Sequence, residues 1–345
     1  MKTTAALLLE TGKLLEMAEL EIPALKAGQV LVEIAYSGCC HTQLLEARGY
    51  RGPDAWCPHC LGHEGSGVVI DKGSEVSKVG IGDEVVLGWI QASGINAGGA
   101  VYEWNGQDVN AGPVTTFSRH AVVSENRLVP KPPSLAMRDA VLLGCAVLTG
   151  FGSVLNVCKP QAGQSLAVFG VGGVGLCALV AAVSRRCKNI IAIDVNDGKL
   201  EHAGALGATD VINAAQQDAL EIILDLTGGG LDFAVEASGR PDAMSQALSA
   251  VRPQGGTAVI IGNARAGETL EIDPKQLNMG KRLVGTWGGD ADPDRDVPVF
   301  ADLLSGDGAG LTSLLTEPYK LEDINQALDD LESGAVWRPV IGMAN

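Results

Sequence analysis

Three separated pieces of the chain carry residue types that bind metal ions. Cys39-Cys40-His41-Thr42 follows an apolar run at residues 29–35, and Gly62-His63-Glu64 begins 22 residues after Cys40. Cys145 sits in Leu143-Gly-Cys-Ala-Val-Leu-Thr-Gly150. Two thiolates and an imidazole with an open fourth position form one recognised arrangement for catalytic Zn²⁺. Sulfur and nitrogen donors favour zinc over Mg²⁺, which wants carboxylates. Spacing alone does not select Cys145 from the other cysteines, and buried apolar thiols are the plain alternative for all of them.

A second constellation is Gly170-Val-Gly172-Gly173-Val174-Gly175, directly after the apolar run 165–169 and at the start of a helical pattern over 174–186. Gly170 permits a tight turn, Gly172 lets the backbone approach a pyrophosphate, and Gly175 permits close helix–strand packing; the helix N-terminus favours the anion. Asp194 stands 19 residues after Gly175, at the end of the next strand-like run, 190–193. A carboxylate there suits ribose hydroxyls and repels a 2′-phosphate. Val195 and Asn196 bring no arginine to hold that phosphate, so the expected cofactor is NAD.

These residues need elements to position them. At 345 residues, the chain is long enough for about two domains of ~150 residues. Residues 1 to about 130 show short alternating runs at 29–35, 67–71, 83–87 and 118–123, which read as a β-rich unit. Residues 92–112, rich in Gly and Asn, read as a long surface loop. Residues 140–157 read as a helix, after which continuous apolar runs alternate with helical ones: strands at 165–169, 190–193, 231–235, 257–261 and 282–286, helices at 174–186, 198–206 and 243–251. That alternation predicts a parallel sheet covered on both faces. An amphipathic helix is expected at 321–333.

Composition limits the partners. A formal charge of −16 disfavours nucleic acid and anionic membrane surfaces. No run reaches the ~18 apolar residues of a membrane span, and Glu10 and Lys13 interrupt the N-terminal apolar run, which reads as an opening strand. A cytoplasmic protein is expected, with its eight cysteines as packing residues, metal ligands or catalysts.

Taken in order, Gly38-Cys-Cys-His-Thr, Gly62-His-Glu-Gly-Ser-Gly67, Leu143-Gly-Cys145, Thr149-Gly-Phe-Gly152, the glycine fingerprint, Ala208-Thr-Asp, Glu236-Ala-Ser-Gly239 and Ser333-Gly with Trp337-Arg338 resemble the zinc-dependent medium-chain alcohol dehydrogenase family, over about residues 5–342. The resemblance implies an α/β protein: a GroES-like β-rich catalytic domain (1–146 and 287–345) plus a Rossmann NAD-binding domain (147–286), with the active site between them. It implies a zinc-dependent oxidoreductase that passes hydride between an alcohol and NAD, with an aldehyde or ketone in the reverse direction. It makes Cys40, His63 and Cys145 the zinc ligands and Thr42 the first member of a proton relay. His41 and Arg338 would contact the pyrophosphate, Asp194 and Lys199 the adenosine ribose. Glu64 falls behind the metal, and Trp89 and Phe117 fall where the family lines its substrate channel, with ordinary core packing as their alternative. A homodimer or homotetramer is implied.

Four departures from the family matter. Residues 88–114 contain no cysteine, so the four-cysteine structural zinc lobe is missing and one catalytic zinc per subunit is expected. Gln43 stands where the family usually has an Asp that supports a metal ligand; it can hydrogen-bond a ligand imidazole without adding charge. Leu45 replaces the terminal relay His; His59 or His120 could serve, though each reads as a surface or packing residue. Cys57-Pro-His-Cys60 could hold a metal or switch redox state, but a four-cysteine site needs a second pair and only Cys39 is a neighbour, so Cys60 reads as packing and Cys57 as incidental. Two other functions fit parts of the pattern: a zinc-free quinone or enone reductase of the same fold, disfavoured by the Cys/His/Cys set, and a non-catalytic dinucleotide-binding redox sensor using Cys57 and Cys60.

Overall fold

The computed structural model describes residues 1–306 and 308–343. The chain forms two compact units: Met1–Cys145 with Asp292–Asp302 and Thr312–Asn345, and Ala146–Ala291 with Leu303–Leu311. The second unit thus also takes in a late stretch of chain, which no local sequence signal announces.

In the first unit, alternation along the chain becomes an inside and an outside. Strands Lys2–Leu8, Glu16–Glu21, Val101–Trp104, Gln107–Asn110 and His59–Cys60 close a small barrel, with Ala5, Leu7, Leu20, Tyr102 and Val109 in its apolar interior. A seven-stranded sheet runs Leu128–Pro130, Glu84–Leu87, Gly65–Lys72, Gln29–Gly38, Val340–Gly342, Tyr319–Lys320, with His120–Ser124 also pairing on Gln29–Gly38. Residues 92–112 are not all loop: they contain the hairpin Val101–Trp104/Gln107–Asn110, turned at Asn105 (φ 53°) and Gly106 (φ 79°). Positive φ at both central residues is what a two-residue hairpin turn demands, and Asn-Gly supplies it.

The second unit is a six-stranded parallel sheet in the order Asp210–Asn213, Asn189–Asp194, Ser165–Phe169, Phe233–Glu236, Thr257–Ile260, Arg282–Gly285. This 3-2-1-4-5-6 order is that of a doubly wound dinucleotide fold, whose switch point lies between the first and fourth strands. The edge strand Asp210–Asn213 carries only two apolar residues, too few for a periodicity signal. Helix Gly173–Ser184 is apolar on nearly all sides and is buried almost throughout, as such a helix must be.

The helix expected over 140–157 is broken at Cys145, whose φ/ψ of −151°/−69° is not helical. A 3₁₀ turn Val141–Gly144 precedes the break, and helix Ala146–Gly152 with a wider π turn Ser153–Cys158 follows. Gly144 lies against the Leu87 carbonyl and Glu64, leaving no room for a Cβ, so packing overrides helical continuation there. A further helix, Pro293–Ser305, escaped detection because Pro298 lies inside it. Helix Ile324–Ser333 follows a 3₁₀ turn, Leu321–Asp323, and ends at Gly334 (φ 76°). Among the described residues no single helix is long and apolar enough to cross a membrane.

Candidate active site

Cys40 is the cap residue at the N-terminus of helix His41–Ala47, just past strand Gln29–Gly38. His63 lies between strands His59–Cys60 and Gly65–Lys72, and Cys145 occupies the helix break. Although 105 residues apart in sequence, Cys40 Sγ and Cys145 Sγ lie 3.9 Å from each other. The ligand atoms of Cys40, His63 and Cys145 all fall within 4.8 Å of one another. Two sulfurs each ~2.3 Å from a tetrahedral ion stand about 3.8 Å apart, so the spacing fits zinc. The donor chemistry agrees: His63 Nε2 is shielded from solvent and has no hydrogen-bond partner. The hydrogen bond with Cys145 and the nearby Arg338 and His63 outweigh burial and hold the Cys40 thiol well below its ordinary range. These residues can therefore hold the zinc that the sequence calls for.

Behind the cluster, Glu64 and Arg338 are 0% and 3% exposed and form an ion pair. The Glu64 carbonyl accepts hydrogen bonds from Gly38 N, Ser37 Oγ and Thr116 Oγ1, which tie the His63 segment to the central strand. Arg338, expected at a pyrophosphate, thus holds the acid behind the metal cluster. Gln43 does not bond a ligand imidazole: its Nε2 donates to Glu46 Oε2 at 3.3 Å, its neighbour one helical turn on, and its Oε1 has no partner.

Thr42, Gln43, Glu46, Arg51, Trp56, His59 and His63 line a cavity of about 500 Å³, together with residues 110–115. His41 begins the same short helix. Leu45 is buried in the apolar interior and offers no relay group. Of the two histidines considered as relay ends, His59 lines this cavity and His120 does not. Neither do Trp89 and Phe117: Phe117 is fully buried in the core and Trp89 packs half-buried against it. Arg51, Glu46 and Asn110 escaped the sequence reading because isolated polar residues in loops and helices carry no spacing signal.

In the second unit the glycine turn has the form its pattern requires. Gly170 has φ 85°, and a Cβ there would press on Ser238 at the end of the fourth strand, across the switch point. Gly172 faces open space and caps helix Gly173–Ser184 without a side-chain cap, leaving its first turn, which includes Val174, to an incoming anion. A Cβ on Gly175 would run into the Gly170 carbonyl. Asp194 Oδ2 accepts from Val171 N at 2.9 Å and Oδ1 from Val195 N and Asn196 N, so the acid is locked beside the turn. Asn196 caps the next helix by accepting from Lys199 N. Gly175→Val is expected to cost about 1–3 kcal/mol of stability by overpacking and to remove NADH binding; NADH fluorescence titration and a denaturant curve check both.

Residues 26–133 match the alcohol dehydrogenase GroES-like domain family, and residues 173–306 the zinc-binding dehydrogenase family. An S-(hydroxymethyl)glutathione dehydrogenase from Synechocystis sp. is 34% identical over 99% of this chain and 100% of its own length. One from Photobacterium damsela subsp. piscicida is 35% identical over the same shares. The crystal structure of benzyl alcohol dehydrogenase from Acinetobacter calcoaceticus superposes with a TM-score of 0.89 at 29% identity, covering 100% of both chains. An alcohol dehydrogenase zinc-binding domain protein from Burkholderia ambifaria gives 0.88 at 30%, again over 100% of both. With its barrel unit, its doubly wound sheet and these relatives, the chain belongs to the zinc-dependent medium-chain alcohol dehydrogenase family, as a member without the structural-zinc cysteines.

Proposed function

We propose that the protein catalyses the NAD-linked interconversion of an alcohol with its aldehyde or ketone, using one catalytic zinc held by Cys40, His63 and Cys145. The observation that carries this reading is the convergence of those three donors at zinc-compatible spacing. Bound zinc supplies Lewis acidity to the substrate oxygen, and NAD supplies the carbon that accepts hydride. The chain does the rest. Thr42, in the same cavity as His63, takes the hydroxyl proton at its Oγ1 and passes on its own. The Glu64–Arg338 pair fixes the loop that carries His63. The helix N-terminus at Gly172–Gly175 and the Asp194 carboxylate hold the dinucleotide, with Lys199 on the ribose and His41 toward the pyrophosphate.

The curated relatives are named for S-(hydroxymethyl)glutathione and a structural relative for benzyl alcohol, so these head the panel of candidate alcohols. An NAD⁺-coupled screen over them, aliphatic alcohols and polyols tests the reading; reduction of NAD⁺ by none of them would count against it. The eight free thiols suit a reducing compartment such as the cytoplasm, and family likeness supports a homodimer or homotetramer.

Asp194→Asn keeps one of the two oxygens that accept from the turn and its following residues and removes the charge. Losing one charged hydrogen bond costs ~1.5–3 kcal/mol, so the NAD affinity is expected to fall about tenfold or more while NADP affinity does not fall. Unchanged discrimination in paired binding titrations would reject the ribose assignment.

A further inference from the structure

The loop ahead of strand His59–Cys60 gathers a second set of donors that the reaction does not use. One ligand atom from each of Asp54, Cys57 and His59 lies within 4.8 Å of the others. His59 Nε2 stands 2.8 Å from Asp54 Oδ2, and Trp56 N donates to Asp54 Oδ1 at 2.8 Å. The Asp54 and His59 side chains are each 10% exposed. The loop is held from both sides: Asn110 Nδ2 donates to Trp56 O, Asn110 N donates to Pro58 O, and Leu8 pairs with His59. A donor set fixed in advance avoids much of the ordering cost of binding.

The charge balance points the same way. Burial, then the carboxylates of Asp54, Glu46 and Glu10, raise the Cys57 thiol above its ordinary range. Three carboxylates stand around the thiol against one guanidinium, Arg51, on the wall of the adjoining cavity, a balance that a divalent cation would offset. Cys60, the other half of the Cys-Pro-His-Cys motif, belongs instead to the apolar interior of the barrel. The motif therefore works as a Cys-x-His pair with Asp54 added from the chain before it.

We propose that Asp54, Cys57 and His59 form a second, reversible site for a borderline divalent cation such as Zn²⁺. One thiolate, one imidazole and one carboxylate suit Zn²⁺ or Co²⁺ rather than Mg²⁺ or Ca²⁺. Loading sends the Cys57 thiol proton to solvent, and His59 ligates through Nε2 as neutral imidazole with its proton on Nδ1, the metal taking the place of the contact with Asp54. With one thiolate and a carboxylate where the other site has two thiolates, and with two of its three donors only partly buried, this is the weaker of the two sites, so dialysis against a weak chelator empties it and leaves the Cys40–His63–Cys145 ion in place. Through His59 the ion reaches the wall of the cavity that Thr42 and His63 line.

Dialysed protein holding one zinc is titrated with Co²⁺. Thiolate-to-cobalt charge-transfer absorption reports uptake, and released zinc is measured in the same samples. The wild type is expected to take up one further Co²⁺ with the charge-transfer band and without zinc release. Cys57→Ala is expected to lose the band and bind at least about tenfold more weakly; Asp54→Asn is expected to bind at least about tenfold more weakly with the band retained at saturation. Unchanged thermal unfolding of both variants before loading checks that they fold. No saturable uptake by the wild type, uptake matched by zinc release, or undiminished uptake by both variants would overturn the proposal. None of these readouts uses turnover, and the Cys57 and Asp54 variants separate uptake here from uptake at the Cys40–His63–Cys145 donors, so failure of this proposal and failure of the alcohol dehydrogenase reading are distinguishable.

Discussion

Cys145→Ser is expected to purify with little zinc and to lose alcohol-dependent NAD reduction by about a thousandfold or more. The size follows from several kcal/mol of Lewis-acid stabilisation, at ~1.4 kcal/mol per tenfold in rate. The substitution replaces a soft thiolate with a hydroxyl that stays protonated at neutral pH, and it leaves the chain volume nearly unchanged. Cys145 belongs to the barrel-containing unit and the glycine turn to the other, so NADH binding is expected to survive. Metal analysis, steady-state kinetics and NADH titration of the same batch separate loss of metal from loss of fold. Wild-type turnover with serine at this position would remove Cys145 from the ligand set.

Arg338→Ala is expected to destabilise the barrel-containing unit by about 3–5 kcal/mol, the usual cost of stranding one member of a buried ion pair. Glu64 is fully buried, and its side chain lies against Gly38, where a Cβ has no room. Burial already pushes the Glu64 carboxyl upward, with Arg338 opposing the shift. Without the guanidinium the acid must bury its charge alone or take up a proton. The double variant Glu64→Gln/Arg338→Met removes both charges and is expected to regain much of the loss, a coupling that a double-mutant cycle reads directly. Urea unfolding is the measurement. A single variant with the wild-type midpoint would show that the pair does not hold this unit together.

Features written locally were legible in the sequence. The glycine fingerprint is contiguous, its glycines answer backbone demands, and Asp194 lies one strand away. The buried strands of the parallel sheet were visible because both their faces are apolar. What depended on long-range packing was harder to read. Cys145 could be chosen only through the family resemblance, since nothing local brings its sulfur 3.9 Å from that of Cys40. The break at Cys145 was invisible because residues 140–157 are apolar on every side, which gives helical periodicity no reason to stop. The hairpin at 101–110 carried an explicit signal, Asn105-Gly106, that the glycine-rich composition around it masked. In the Cys57–Cys60 motif the repeated cysteine drew attention to the wrong pair. The residues that gather are Asp54, Cys57 and His59, because alternation along the short strand turns Cys60 into the barrel.

The central claim is that one zinc ion, gripped by Cys40, His63 and Cys145, is required for alcohol oxidation. The most direct measurement follows zinc content and alcohol-dependent NADH formation together, while a strong chelator strips the dialysed protein and Zn²⁺ is then returned. The account predicts one zinc per chain at the start, activity falling in proportion to the zinc removed, and recovery when it is restored. A metal-free protein that oxidises alcohol at the original rate would contradict it.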